Sequence, residues 1–209
     1  MNDIVAKLSK YKIVPVIAID DPDHALPLAD ALSEGGLPLI EITFRTSAAA
    51  AVLAILRRER PNMLLGAGTI LTAEDLKAAI DAGADFAVAP GLNLKICEAA
   101  LKNNFPFMPG IMTPTDIEAG MTLGLQYFKF FPAEAAGGVT YLSSIAAPYL
   151  HKNIRFIPTG GVSAINLQDY LKMKSVLAVG GTWIARSEDI HAADWPRIKE
   201  KCLEALKTF

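Results

Sequence analysis

The sequence predicts one α/β domain in which eight parallel strands alternate with helices and close into a (β/α)8, or TIM, barrel. A unit of roughly 20 to 30 residues recurs along the chain: a short apolar run, a turn signal and an amphipathic segment. No linker, charge block or low-complexity stretch divides the chain, so we interpret residues 1–209 as a single domain. The motif Gly-x-Gly-x-x-Gly does not follow the first apolar run, which disfavours the main competitor, an open doubly wound sheet.

The apolar runs are short, as expected for strands buried on both faces. Each is separated from the next by a helical segment that returns the chain on one side of the sheet, so the strands should be parallel. The predicted strands are 13–19, 37–44, 63–70, 86–89, 105–111, 127–131, 155–158 and 175–179.

Amphipathic spacing predicts helices between these runs. Thr72 should be the N-cap of one of them, with Asp75 three residues later, and Gly83 should end that helix. The predicted helices are 23–34, 73–82, 94–104, 114–123 and 166–172, and a terminal helix is expected near 195–209.

Glycines and small residues cluster at the predicted ends of the strands. They occupy positions 66–69, 89–91, 109–110, 160–161 and 180–181. A barrel assembles one site from the strand-to-helix loops at its C-terminal face, and this placement therefore favours the barrel over the open sheet.

Composition excludes several classes of function. The net charge of −2 offers no basic field for nucleic acid, and no apolar run reaches the ~20 residues of a membrane span. The first residues lack the apolar region of a secretory signal, and Cys97 and Cys202 match no redox or metal motif, so we expect buried thiols in a cytoplasmic protein. His24, His151 and His191 have no zinc spacing, and we expect no metal.

Lys129 carries the strongest chemical signal, because it lies in the middle of the aromatic run 127–131. Alternation of side chains on a strand puts Lys129 on the same face as Tyr127 and Phe131. A buried amine among aromatic rings is costly, and desolvation favours its neutral, nucleophilic form. The alternative is a lysine that extends to the barrel mouth or pairs with an acid without chemistry. The motif favours a lysine that forms a Schiff base.

A second set of polar residues lies on one face of the run 37–44, and its last member directly follows the run. Alternation places Glu41, Thr43 and Arg45 together, although barrel strands are normally apolar on both faces. A guanidinium suits the carboxylate of a keto acid, and a positioned carboxylate suits proton transfer. A structural ion pair is the alternative.

Two Gly-Gly pairs follow the seventh and eighth predicted strands. Gly160 and Gly161 form one pair, and the second ends at Gly181, next to Thr182. In α/β barrels these two loops often bind phosphate, because bare backbone N–H groups can turn toward an anion. The glycines could instead serve only tight turns.

Several segments together resemble the 2-keto-3-deoxy-6-phosphogluconate (KDPG) aldolase family, also called the 4-hydroxy-2-oxoglutarate (KHG) aldolase family. They cover nearly the whole chain in order and are 41–46, 66–69, 89–91, 109–111, 128–134 and 158–161. The resemblance implies a class I aldolase on a (β/α)8 barrel, a homotrimer without cofactor or metal. The implied reaction is reversible cleavage of KDPG to pyruvate and glyceraldehyde 3-phosphate, in the Entner–Doudoroff route.

The resemblance also implies roles for individual residues. Lys129 is implied as the Schiff-base lysine and Glu41 as the acid/base. The implied substrate-binding residues are Arg45, Thr69, Pro90, Phe131, Gly160, Gly161, Gly181 and Thr182. Arg45 and Thr69 would bind the pyruvyl carboxylate, and Gly160, Gly161 and Thr182 the phosphate.

One position departs from the family pattern: Thr182 stands where serine is expected, which keeps the hydroxyl and adds a methyl group. The sequence is also compatible with other substrates and functions. The main substrate could be KHG or the galactonate epimer of KDPG. A non-catalytic sugar-phosphate-binding barrel or an aldose–ketose isomerase would leave the lysine strand unexplained.

Overall fold

A computed structural model describes residues 1–208, without the side chain of Asn2, and consists of parallel strands and intervening helices. The strands are β1 (Ile13–Ile17), β2 (Leu39–Thr43), β3 (Leu64–Gly68), β4 (Phe86–Val88), β5 (Phe107–Met108), β6 (Gly110–Ile111), β7 (Tyr127–Phe130), β8 (Arg155–Pro158) and β9 (Val179–Gly181). The α-helices are α1 (Asn2–Tyr11), α2 (Ala25–Glu34), α3 (Ala49–Glu59), α4 (Ala73–Asp81), α5 (Leu94–Lys102), α6 (Pro114–Thr122), α7 (Gly138–Ala146), α8 (Leu167–Leu171), α9 (Ser187–His191) and α10 (Trp195–Leu206). Short 3-10 helices cover Pro22–His24 and Ala147–Lys152.

The strands form two sheets in which every pairing is parallel. The larger sheet has the order β5-β4-β3-β2-β1-β9, and the smaller has the order β6-β7-β8. Each connection between neighbours contains helix, as parallel pairing requires. The predicted α/β class with parallel strands is therefore confirmed.

The two sheets approach each other at both ends. Only Pro109 separates β5 from β6, because a proline has no N–H to donate and interrupts the ladder. The predicted run 105–111 thus becomes two segments. At the other end, isolated bridges join Phe156 to Val176 and Thr159 to Gly180, which brings β8 beside the residues around β9.

The eighth strand lies later than predicted. The apolar pattern placed it at 175–179, whereas the structure has Val179–Gly181, so the second Gly-Gly pair is inside the strand rather than after it. Close packing explains this position, because a Cβ on Gly180 would lie 2.4 Å from Oγ1 of Thr159. A larger side chain would separate these neighbouring strands.

Aromatic rings from several strands fill the interior where glycines leave room. Phe86, Phe128, Phe130 and Phe156 are completely or almost completely buried. A Cβ on Gly120 of α6 would lie 2.4 Å from the ring of Phe128. Such contacts bring helix and strand backbones close together and hold the strands in place.

The predicted helix signals are present. Thr72 and Asp75 form a reciprocal capping box at the start of α4, and Gly83 follows the helix with a φ of +84°. The terminal helix α10 packs against α2 of the same chain. Gly35, at the end of α2, makes room for Cys202 of α10, since a Cβ there would lie 2.5 Å from that residue's Cβ.

Within residues 1–208, no helix is long and apolar enough to cross a membrane. Cys97 and Cys202 are both buried and unpaired, as predicted. Burial raises the pKa of the Cys97 thiol to about 11 and that of Cys202 to about 12.

These thiols predict a loss of stability at alkaline pH. Below about pH 9 the thiols are protonated in both the folded and the unfolded protein. Above about pH 9 they ionise first in the unfolded chain, because burial raises their pKa in the folded state. The free energy of unfolding should fall by up to about 1.4 kcal/mol per pH unit for Cys202 between pH 9 and its raised pKa of about 12. Urea unfolding of wild type and Cys202→Ala from pH 8 to 11 tests this. The variant should lose stability less steeply, and parallel pH curves would contradict the prediction.

Candidate active site

The centre of the site is a buried pair between a lysine and a carboxylate. Lys129 Nζ lies 3.0 Å from Oε1 of Glu41. The residues are 6% and 3% exposed, so both charged groups are removed from water. Lys129 comes from β7 and Glu41 from β2, which belong to different sheets. The contact therefore crosses the interior and joins residues that are 88 positions apart.

An aromatic ring lies beside the lysine amine on the face that strand alternation predicts. The Lys129 Nζ is 5.8 Å from the centroid of the Phe131 ring. Phe128 and Phe130, on the opposite face of β7, are completely buried in the core. The strand thus directs its amine into the site while its other face packs against hydrophobic side chains.

A glycine makes room for the carboxylate. Gly68 ends β3 and is paired with Thr43 of β2, beside Glu41. A Cβ on Gly68 would lie 2.2 Å from Oε1 of Glu41 and 2.9 Å from its carboxyl carbon. The absence of a side chain at Gly68 therefore determines where the carboxylate of Glu41 can lie.

The hydroxyl of Thr43 connects β1 and β2 to the arginine of the site. It donates a hydrogen bond to the carbonyl oxygen of Ile17, 3.0 Å away, and accepts one from Nε of Arg45 at 3.2 Å. Thr43 is buried, whereas Arg45 is exposed at the rim. Thr43 holds Nε, and Arg45 lines the cavity, where a guanidinium with paired N–H donors suits an anion.

Thr69 has an unusual backbone conformation directly after Gly68. Its φ is +60°, a region that β-branched residues rarely adopt. Such a conformation costs about 1–3 kcal/mol and persists only where surrounding structure imposes it. The next residue, Ile70, is held by a hydrogen bond from its N–H to the carbonyl oxygen of Val88 at 3.2 Å. This turn places Thr69 at the wall of the cavity.

One cavity of about 460 Å³, a size typical of small-molecule sites, is lined by Glu41, Thr43, Arg45, Thr69, Lys129 and Phe131 among others. It contains all ten residues that the sequence indicated: Glu41, Arg45, Thr69, Pro90, Lys129, Phe131, Gly160, Gly161, Gly181 and Thr182. The remaining lining residues are Val16, Thr43, Thr159, Val162, Ser163, Trp183 and Arg186. Of these, Thr43 shares the predicted polar face of β2. The other six were not predicted as site residues; among them, Ser163 lies in the loop after β8 and Arg186 in the loop after β9.

The loop after β8 has the open backbone that its glycines predict. Gly160 and Gly161 have φ values of +97° and +82°. Glu134 supports this turn: its N–H donates to the carbonyl oxygen of Gly160 at 3.0 Å, and its Cβ would be 2.6 Å from a Cβ on Gly161. The Tyr170 hydroxyl in turn donates to the Glu134 carboxylate. Burial, followed by the nearby carboxylate, raises the pKa of Tyr170.

The histidines lie outside the cavity lining. His24 makes an edge-on contact with Trp195, with ring centroids 5.4 Å apart, and His191 lies 3.8 Å from a carboxylate oxygen of Asp20. In the described part of the chain, no group of three or more histidine, cysteine, aspartate or glutamate residues is arranged to hold a metal ion.

Known proteins resemble this chain over nearly its full length. The family model described as KDPG and KHG aldolase matches residues 4–201. A 2-dehydro-3-deoxy-phosphogluconate aldolase of Haemophilus influenzae is 45% identical, covering 98% of this chain and 96% of the relative. The KHG/KDPG aldolase of Escherichia coli is 43% identical, covering 96% and 93%.

Two solved structures have a fold very similar to that of this chain. The KDPG aldolase of Legionella pneumophila, with pyruvate captured as a covalent carbinolamine, superposes with a TM-score of 0.92 at 37% identity and covers 97% of each chain. The enzyme of Zymomonas mobilis, solved with 3-phosphoglycerate, has a TM-score of 0.91 at 37% identity and covers 98% of this chain and 95% of its own.

The fit between Gly68 and Glu41 predicts the effect of one added methyl group. Gly68→Ala should displace the Glu41 carboxylate from Lys129 and lower the free energy of unfolding by about 1–3 kcal/mol through overpacking. Gly91→Ala is the matched control, because a Cβ there meets nothing within 4 Å. Crystal structures and urea unfolding of both variants provide the measurement. An unchanged Lys129–Glu41 contact in Gly68→Ala would show that Gly68 does not determine the position of the Glu41 carboxylate.

Proposed function

The chain belongs to the KDPG and KHG aldolase family and is a lyase, and we propose that it cleaves KDPG reversibly to pyruvate and glyceraldehyde 3-phosphate through a Schiff base on Lys129. The observation that carries the proposal is the buried Lys129 amine, 3.0 Å from the Glu41 carboxylate, at the wall of the cavity. A buried amine held beside a carboxylate has the arrangement that nucleophilic catalysis requires.

The first step joins the lysine to the substrate. Glu41 takes a proton from the Lys129 ammonium, and the neutral amine attacks the C2 ketone to form a carbinolamine. Glu41 then returns the proton to the C2 hydroxyl, which leaves as water. The nitrogen lone pair forms the new C=N bond, and the product is a cationic Schiff base. No metal is required, because the iminium itself withdraws electrons.

The second step breaks the carbon–carbon bond. Glu41, again a carboxylate, takes the proton from the C4 hydroxyl, and the C4 oxygen forms a carbonyl as the C3–C4 bond breaks. The electron pair of that bond moves to C3 and the iminium, which becomes an enamine. Glyceraldehyde 3-phosphate leaves. Protonation at C3 and addition of water at C2 then release pyruvate and the free amine.

Arg45 and Thr69 are proposed to hold the pyruvyl carboxylate. The guanidinium supplies paired N–H donors, and Thr43 orients it through Nε at 3.2 Å. The backbone of Thr69, held in its unusual conformation, directs this residue to the cavity wall. Pro90 and Phe131 form apolar walls beside the reacting carbons. Holding the carboxylate keeps C2 within reach of the amine, which lowers the entropic cost of the first step.

Gly160, Gly161, Gly181 and Thr182 are proposed to bind the phosphate. The left-handed backbone of the first two supports this role, because such turns expose N–H groups to an anion. Thr182 is exposed at the cavity, where its hydroxyl can donate to a phosphate oxygen, so the change from serine retains this contact.

We also propose that residues 1–209 form one closed (β/α)8 barrel in which β5 and β6 together are the fifth strand. The one-residue gap at Pro109 and the bridge between Thr159 and Gly180 support closure. A homotrimer in the cytoplasm is proposed from the family resemblance alone. Size-exclusion chromatography with light scattering would test the trimer.

KHG is a second candidate substrate. The Escherichia coli relative at 43% identity is named for both KHG and KDPG. KHG has the same pyruvyl half, so Lys129, Glu41 and Arg45 would act on it unchanged. It lacks the phosphate, however, and would make no use of the turn at Gly160 and Gly161. Values of kcat/KM for KDPG, KHG and the galactonate epimer of KDPG would identify the preferred substrate.

The Schiff base predicts a covalent adduct. Borohydride reduction in the presence of pyruvate should add one reduced pyruvyl group, and peptide mass spectrometry should place it on Lys129. Lys129→Ala should form no adduct and lose turnover. Lys152→Ala, which changes an exposed lysine, is the control and should behave as wild type. A full adduct in Lys129→Ala, or none in folded wild type, would reject the covalent route.

The acid/base role of Glu41 predicts a separate effect on rate. Glu41→Gln keeps the size and shape of the side chain and one acceptor oxygen, but it cannot accept the proton. The kcat for KDPG should fall about 10²- to 10⁴-fold, with pyruvate binding retained. Steady-state kinetics, together with pyruvate protection against thermal unfolding, measures both. A kcat within threefold of wild type would contradict the role.

A further inference from the structure

We propose that Arg186 determines specificity for the phosphoryl group. Its guanidinium exchanges its ion pair with Glu188 for one with the phosphate of the substrate. This inference rests on the proposed function. Arg186 lines the same cavity as Lys129 but lies in the loop after β9, four residues after Thr182. It is therefore on the loop that, with the one at Gly160 and Gly161, forms the proposed phosphate end.

The charges in the cavity give the first argument. Its charged lining residues in the described chain are Glu41, Arg45, Lys129 and Arg186. Glu41 and Lys129 neutralise each other, and Arg45 is assigned to the pyruvyl carboxylate. A phosphomonoester carries a charge of about −1.5 to −2 at neutral pH. Arg186 is the cation that remains to compensate it.

The backbone around Arg186 is anchored. Its N–H donates to a carboxylate oxygen of Asp189 at 3.1 Å, and the same carboxylate pairs with Lys201 of α10. This second pair is largely buried, with side chains 13% and 16% exposed. Further back in the loop, the Trp183 ring covers Gly181 so closely that a Cβ on Gly181 would lie 1.8 Å from it. The loop thus has a fixed path past the cavity.

The guanidinium, in contrast, is held weakly. Its Nη1 lies 3.3 Å from a carboxylate oxygen of Glu188, and the two side chains are 60% and 72% exposed. An exposed ion pair of this kind contributes little to stability, because water screens it and two long side chains must be ordered. A phosphate offers more charge and several acceptor oxygens to the planar guanidinium, so exchange of Glu188 for substrate is favourable.

The experiment compares two substrates that differ only in the phosphoryl group: KDPG and 2-keto-3-deoxygluconate. Arg186→Gln should raise the KM for KDPG about tenfold, with little change in kcat, because a uniform binding contact is lost. The KM for 2-keto-3-deoxygluconate should not change. Arg186→Lys should restore part of the KDPG affinity, and Arg186→Glu should weaken it beyond the glutamine variant.

Two further variants control the interpretation. Arg197→Gln removes another exposed arginine with a nearby acidic partner, Glu200, outside the cavity lining, and should leave both KM values unchanged. Glu188→Gln removes the competing carboxylate and should lower the KM for KDPG. Inorganic phosphate, used as a competitive inhibitor of KDPG cleavage, should inhibit Arg186→Gln about tenfold more weakly than wild type.

The outcomes separate this inference from the proposed function. If wild type forms the pyruvyl adduct and cleaves KDPG, but Arg186→Gln has an unchanged KM for KDPG, the role of Arg186 is wrong and the aldolase assignment stands. Equal increases in KM for both substrates would also reject a phosphate-specific role. If wild type neither traps pyruvate nor cleaves KDPG, the proposed function fails and this inference with it.

Discussion

The buried contact between Lys129 and Glu41 is the constraint on which the site depends. Taking an ammonium and a carboxylate out of water costs several kcal/mol for each ion, and their attraction offsets this only in good geometry. Here the two atoms are 3.0 Å apart, and strands from two sheets bring them together. The fold must keep β2 and β7 at the right separation, or it would leave a buried charge without a partner.

Neighbouring features maintain that geometry. Gly68 leaves the space that the Glu41 carboxylate occupies, and Thr43 joins the backbone of β1 to Arg45 through one hydroxyl. The core behind β7 is filled by phenylalanine rings, which leaves the strand little freedom to shift. Side chains on strands are held more precisely than side chains on loops, which suits the proton transfer proposed between Lys129 and Glu41.

The cavity has two ends that differ in how they attract an anion. At one end, the guanidinium of Arg45 is oriented by a strand residue and suits the carboxylate of pyruvate. At the other, the turn at Gly160 and Gly161 presents backbone, and the Arg186 side chain forms an exposed ion pair with Glu188. The proposed pyruvyl and phosphate ends would allow the same lysine chemistry on substrates that differ in their distal half.

Much of this could be predicted from sequence because local patterns report burial directly. Apolar runs and alternation located seven of the eight predicted strands and put Lys129 and Phe131 on one face, and the capping box at Thr72 was correct. The eighth strand was misplaced because its glycines serve a close approach to Thr159, a contact between distant parts of the chain. The break at Pro109 was overlooked, although a missing N–H was visible in the sequence.

The sequence by itself determined the parallel α/β class and the buried amine, because residue type and period act over a few neighbouring positions. Its motifs, taken in order, also resembled those of the aldolase family to which the chain belongs. The tertiary structure decided what depends on atoms far apart in the chain. It brought Glu41 to within 3.0 Å of Lys129, gave Thr69 a φ of +60° and placed Arg186 at the cavity. Such features follow from packing between strands and loops, which no local pattern encodes.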